Sequence, residues 1–294
     1  MPANLTSCLI LTATAAWSQI LQLGPYVIGG ILLATLLGQL DLPRRWRHRL
    51  NHSGAAAVLG ATCLGGASPL CTYGTVPVLV ELLHSGASPG PAMAFLAASS
   101  LLNPQLFLMM AGVLGLRLAL AHVVGVALLS LPVGLLARRL KPETFLNTEI
   151  LSSPSPTPPH SSLSHTLLRL TETVGLYFIV GVILAALLQT MIPPEWTSSL
   201  LGTDRWYSVL LSGILGVPLY ACGGGAMPVI AELLAQGMSP GAALAFLLAG
   251  PATRLTALAA VATLLNRRAL IVYIAYIVAG AALAGTVLNF WMGI

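Results

Sequence analysis

Two cysteines stand at matching places in the chain. Cys71 opens CTYGTVPV and Cys222 opens CGGGAMPV. In both segments Gly and Pro interrupt an apolar run, which predicts a helix break followed by short helices starting near Thr75 and Ala226. A helix N-terminus offers unpaired N–H groups and partial positive charge, and a thiol placed there gains thiolate character. Two such thiols brought together would form a two-sulfur site for soft electrophiles or metals, such as trivalent arsenic or monovalent copper. Thr72, Tyr73 and Gly74 follow the first thiol, Gly223, Gly224 and Gly225 the second, and all six are candidate lining residues. The residues leave an alternative open, in which each Cys is a small packing residue. Cys8 and Cys63 have no counterpart and read as packing residues.

Glu81 and Glu232 follow Pro77 and Pro228 by four residues, one helical turn along the same face. A carboxylate among Val, Leu and Ala stays protonated or finds a cation, so the pair is a candidate for proton coupling. Otherwise each Glu staples its own broken helix. Arg254, in GPATRLTAL, is a basic residue inside apolar sequence, and the first half has Asn103 at the corresponding place. It would bridge Glu81 or Glu232, or clamp an anionic substrate. Asn103 and Thr253 are placed to satisfy backbone groups freed at the breaks, with Gln105 nearby. Met109, Met110 and Met227 read as filler, and His84 as interfacial. No Walker loop or HExxH is present, so no catalytic residues, metal cluster or cofactor are expected. An intramembrane protease would need a nucleophile and a base, and no His lies within either break along the chain.

The elements that must position these groups lie in a bilayer. Of 294 residues 56% are hydrophobic and 7% charged, against about 25% charged in soluble chains; mean hydropathy is +0.89. This excludes a soluble enzyme, a secreted disulfide scaffold and a nucleic-acid binder, despite a pI near 9.3. The length suits roughly eight to ten crossings of ~20 residues. Gly 29 and Pro 20 favour broken helices, which are tolerated at membrane depth where protein or a wet cavity surrounds them. Interruptions fall at 68–77, 85–91 and 99–104. Spans are expected at 24–40, 171–192 and 269–291, a loop at 193–207, and broken apolar helix over 208–265. A basic n-region is missing from the first 23 residues, so a cleaved signal peptide is not expected.

Residues 151–162, LSSPSPTPPHSS, cannot form a core and divide the chain. The expected organisation is a first membrane repeat over 1–140, a Ser/Pro-rich cytoplasmic linker over 141–170, and a second membrane repeat over 171–294. Adding 151 aligns 71–98 with 222–249, and 16 of those 28 pairs are identical, including Cys, Pro, Glu, Gly and Phe. Arg44, Arg45, Arg47 and Arg49 mark 41–53 as inside, whereas its counterpart 193–207 holds only Glu195, Asp204 and Arg205. With Arg138, Arg139 and Lys141, and the pair Arg267–Arg268, also inside, the halves must be inverted. The expected fold is therefore an all-α polytopic membrane protein, an inverted structural repeat with broken helices or re-entrant hairpins at the midplane. Residues 41–53, 138–169 and 266–268 face the cytoplasm and both termini face the other side.

The motif CTYGTVPV…GASPGPAMAFLAASSLLNP resembles the bacterial permease family that includes YraQ-like predicted permeases and the organoarsenical efflux permease ArsP. The resemblance covers 71–104 and 222–254, about a quarter of the chain. It implies a multi-pass permease of the bacterial inner membrane, not an enzyme. It also implies efflux of a trivalent organoarsenical or another soft thiophile. Members often carry C-x-C or C-C-C-x at the first break, where this chain has Cys71 alone, and Arg254 stands where the motif places Asn. A monomethyl arsenical presents two positions to sulfur, which Cys71 and Cys222 would fill. The expected mechanism is alternating access with proton exchange through Glu81 and Glu232. The alternative is an anion permease for a sulfur-type oxyanion, using Arg254. A channel without a coupling carboxylate and a structural protein are the remaining classes. The expected partners are the bilayer and a small-molecule or metalloid substrate, with room for a homodimer and none for nucleic acid.

Overall fold

The computed structural model describes residues 54–68, 87–147, 200–202, 207–219, 223–253 and 255–293, with positions 14, 17, 20, 21, 25, 28, 75, 76, 79, 83 and 179. The described elements are α1 (Ala55–Ala67), α2 (Pro89–Leu101), α3 (Pro104–Val113), α4 (Leu116–Arg139), α5 (Pro142–Phe145), α6 (Ser208–Leu219), α7 (Gly223–Ala235), α8 (Pro240–Thr253), α9 (Leu255–Leu264) and α10 (Arg267–Trp291). A single antiparallel bridge, Leu146 to Leu265, is the only extended pairing among the described residues. Among the described residues three helical runs are long and apolar enough to cross a membrane: Pro89–Val113, Leu116–Arg139 and Arg267–Trp291. Thr14, Trp17, Ile20, Leu21, Pro25 and Ile28 are helical, so helix is present ten residues before the expected start at 24. The last helix starts at Arg267, two residues earlier than expected.

Helix starts follow local chemistry. Pro begins α2, α3, α5 and α8, where its missing N–H costs nothing and its φ suits the first turn. Asn103 Oδ1 accepts from Leu106 N at 2.7 Å and Asn266 Oδ1 from Ala269 N at 2.9 Å, capping α3 and α10. Ser239 Oγ accepts from Ala242 N, and Asn289 Oδ1 from Gly241 N at 2.7 Å, fixing the start of α8 to the end of α10.

The core is built on α2 and α8. Phe95 and Phe246 are each 1% exposed, and α2 packs between α1 and α4 as α8 packs between α6 and α10. Met109, Met110 and Met227 are buried in this core, as filler residues are. The outer faces are apolar as well. Leu116, Leu120, Val124 and Leu128 form an exposed stripe on α4, and Ile271, Val272, Leu283 and Val287 are exposed on α10. A helix in water would carry polar residues there, so these stripes suit an apolar surround. Cys63 is exposed on α1; it faces out of the bundle instead of packing within it, which corrects its reading as a packing residue.

Shifting α2, α3 and α4 by 151 gives 240–252, 255–264 and 267–290, which are the observed α8, α9 and α10 to within one residue. The same shift relates the tightest helix contacts. A Cβ on Gly134 would come within 2.7 Å of Val58 Cγ1 and 3.0 Å of Gly90 O. One on Gly285 would come within 2.6 Å of Val209 Cγ1 and closer still to Gly241 O. At each point glycine lets two backbones approach closely with a valine side chain of a third helix against them.

α4 and α10 run in opposite directions. Tyr276 Oη donates to Leu129 O at 3.0 Å. Farther along α4 and farther back along α10, Asn147 N donates to Leu264 O and Asn266 N to Phe145 O. Arg138–Arg139 and Arg267–Arg268 therefore lie at one end of the bundle. The first residues of the linker are ordered there, with Asn266 Nδ2 donating to Thr144 O at 2.6 Å.

Candidate functional site

The helical run Pro89–Val113 breaks at Leu102 and Asn103, both extended (φ −139° and −144°). Ser, Asn and Pro around an otherwise apolar run make this local outcome. The freed groups find partners nearby. Leu102 N reaches Ala98 O at 2.9 Å, Ser99 Oγ donates to Leu96 O, and Ser100 Oγ also donates to Leu96 O. Thr75 Oγ1 and Ser99 Oγ are 3.0 Å apart, tying the segment after the first thiol to the middle of the bundle. Asn103 serves as a cap, the backbone role that the sequence suggests, and Thr253 Oγ1 likewise bonds Ala249 O at 2.8 Å.

In the second half α8 ends at Thr253 and α9 starts at Leu255, with position 254 between them as Asn103 lies between α2 and α3. α7 begins at Gly223, three residues before the expected Ala226. Gly223, Gly224 and Gly225 thus form the first helical turn, directly after Cys222 in the chain, and their N–H groups are those a helix leaves without intrahelical partners. Glu232 is half-buried on α7 and accepts from Gln236 Nε2 at 3.0 Å. That bond is the stapling contact along its own helix. Cys71, Thr72, Tyr73, Gly74, Glu81, Cys222, Arg254, Cys8 and His84 lie outside the described residues.

Two functional candidates come from within the long spans, where the chain offers no break to mark them. His122, on α4, is 0% exposed and its Nε2 lies 3.1 Å from Leu101 O, the last residue of α2. Its Nδ1 is buried with no hydrogen-bond partner among the described residues. Tyr273, on α10, is buried with its hydroxyl beside Ser100, yet no hydrogen bond of good geometry reaches that hydroxyl. Position 122 plus 151 is 273. No His lies within either break along the chain, but in space His122 reaches the first. Its ring bonds the Leu101 carbonyl, and among the described residues it faces no hydroxyl or thiol nucleophile. The sequence signal that finds these residues is a polar residue at both offset-related positions of two apolar spans.

A family model described as a predicted permease, ArsP_1, matches residues 4–290. The Escherichia coli K12 protein YraQ is 38% identical over 73 residues, 25% of this chain and 21% of that protein. A Streptococcus mutans protein, provisionally named a two-component membrane permease complex subunit, is 24% identical over 268 residues, 85% of this chain and 84% of that protein. A Bacillus subtilis relative, YcgR, is 31% identical over 75 residues, 26% of each chain. The match thus spans about a quarter or less of YraQ and YcgR and most of the streptococcal protein. No solved structure matches significantly.

Proposed function

The chain belongs to the predicted-permease family ArsP_1, and on that premise we propose an alternating-access permease built from an inverted pair of repeats, 1–140 and 171–294. Membership and the apolar helices make it a multi-pass membrane protein, and membership in a permease family supports a transporter rather than an enzyme. The observation that carries the inverted reading is the opposed direction of α4 and α10. The 151-residue offset makes these helices equivalents. Repeats related by an axis along the membrane normal would run them the same way, whereas an axis in the membrane plane opposes them. Their basic ends meet at one end of the bundle, which the positive-inside rule assigns to the cytoplasm together with the linker 141–170.

The proposed substrate is a soft solute, a trivalent organoarsenical, exported from a bacterial cell across the inner membrane. Cys71 and Cys222 are its two sulfur ligands, with Thr72, Tyr73, Gly74, Asn103 and Gly223–Gly225 around them. The glycine turn at the start of α7 supports this, because it sets free N–H groups directly after Cys222. Glu81 and Glu232 carry protons in exchange. The streptococcal relative's name supports a second subunit as partner. Cells expressing Cys71→Ser or Cys222→Ser should lose resistance to monomethylarsenite while the protein is still made, and Arg254→Gln should impair folding more than selectivity. Full export by both serine variants with loss in Arg254→Gln alone would favour an oxyanion substrate held by Arg254.

A further inference from the structure

The His122 ring has one tautomer open to it. Nε2 faces the Leu101 carbonyl at 3.1 Å, and a carbonyl only accepts, so Nε2 carries the hydrogen and Nδ1 keeps a lone pair. That lone pair is buried and has no donor among the described residues. A buried acceptor without a partner is unfavourable, and here it sits beside the unwound residues Leu102 and Asn103. From α10 Tyr273 brings a second buried polar group, its hydroxyl, beside Ser100 at the same break.

We infer that His122 Nδ1 is a proton-binding site of the transport cycle, loaded when the α2–α3 break opens to water and emptied when the break closes. This rests on the permease reading above and adds a site to the carboxylates proposed there. Loading forms one N–H bond at Nδ1 and breaks one O–H bond of a hydronium ion, leaving water and an imidazolium. In the closed packing that cation has no counter-ion among the described residues. The described parts of α1, α2, α3 and α8 carry no Asp, Glu, Lys or Arg. Among the described residues, the titratable side chains on these helices and on the facing part of α10 are Cys63, which is exposed, Tyr273, and Tyr276, whose hydroxyl is bonded to Leu129 O. The arginines of α4 and α10 lie near the helix ends. An unpaired buried cation is costly, so the loaded proton and the closed break exclude each other. His122 lies six residues after Leu116, ~9 Å along α4, toward the end away from Arg138 and Arg139. The proton therefore enters from the non-cytoplasmic side.

The test uses the full chain in lipid nanodiscs, labelled with 15N-histidine and leucine 13C carbonyl. The His122 signal is identified among six histidines by its coupling to the Leu101 carbonyl. As the pH falls from about 8 to about 4 it should pass from the neutral Nε2–H form to imidazolium. Over the same range amide exchange across 101–106, corrected for its intrinsic pH dependence, should rise about tenfold or more. His122→Gln keeps a donor for Leu101 O but cannot take the proton, so exchange in that variant should lose its pH dependence. A ring that stays neutral throughout, or that titrates with exchange unchanged, overturns the inference; both readings come from the unaltered chain if the variant does not fold. Neither needs a substrate. Titration with coupled exchange but no monomethylarsenite flux would reject the substrate reading and support the proton site. Flux with a neutral ring would reject the proton site alone.

Discussion

At the scale of single residues, the first break separates side chains committed to the backbone from those that are not. Asn103 is committed: its oxygen caps α3 through Leu106 N. Asn103→Ala should lower stability by ~1 kcal/mol, read as a lower thermal unfolding midpoint in detergent, while Asn103→Asp should keep most of it. Among the described residues Glu232 accepts from Gln236, and it is proposed to exchange protons. Glu232→Gln retains an oxygen for that bond, so stability should change by less than ~0.5 kcal/mol while the pH dependence of transport weakens. Unchanged pH dependence would make Glu232 a strut of its own helix. Asn103 and its cap were legible in the sequence because Pro104 follows it and marks a helix start. His122 and Tyr273 were not. Each is a lone polar residue within a long apolar span, and its meaning comes from a carbonyl or a serine about twenty residues away, or in the other half of the chain.

At the scale of helices, the interruptions at 85–91 and 99–104 bounded α2 and the start of α3, because those breaks are made locally by the residues at the break. Residues 208–265, in contrast, read only as broken apolar helix. The start of α7 was less legible. Three successive glycines read as loop, since Gly has poor helix propensity, yet Gly223–Gly225 are helical and continuous with the apolar segment after them. Packing between helices was invisible to periodicity but follows one rule, glycine where three helices meet. Gly285→Ala drives a methyl against Val209 and the Gly241 backbone, so it should destabilise the protein by ~1–3 kcal/mol. Gly134→Ala should act similarly against Val58 and Gly90. Gly60, within α1, faces open space, with no atom within 4 Å of the position a Cβ would take. Gly60→Ala should therefore be neutral or stabilising by up to ~1 kcal/mol. Thermal unfolding of the three variants side by side separates packing from propensity, and equal losses would refute the glycine rule.

At the scale of the molecule, the all-helical membrane character was legible from composition, and the exposed apolar stripes of α4 and α10 give it a structural form. The opposed direction of α4 and α10 is seen in contacts at Leu129–Tyr276 and at 144–147 with 264–266, and it agrees with the loop charges that put Arg138–Arg139 and Arg267–Arg268 on one side. Inverted repeats predict that cysteines introduced at Ser155 and Ser199 are labelled from opposite sides of the membrane; labelling from one side would remove the inversion. The central claim is tested most directly by flux. Inside-out proteoliposomes with an acidic lumen and a neutral bath should accumulate monomethylarsenite, lose that accumulation when the pH gradient is collapsed, and fail to accumulate it with Cys71→Ser or Cys222→Ser. Folded, unaltered protein that accumulates none, or serine variants that accumulate as much, would contradict a proton-coupled permease that holds a soft solute between two thiols.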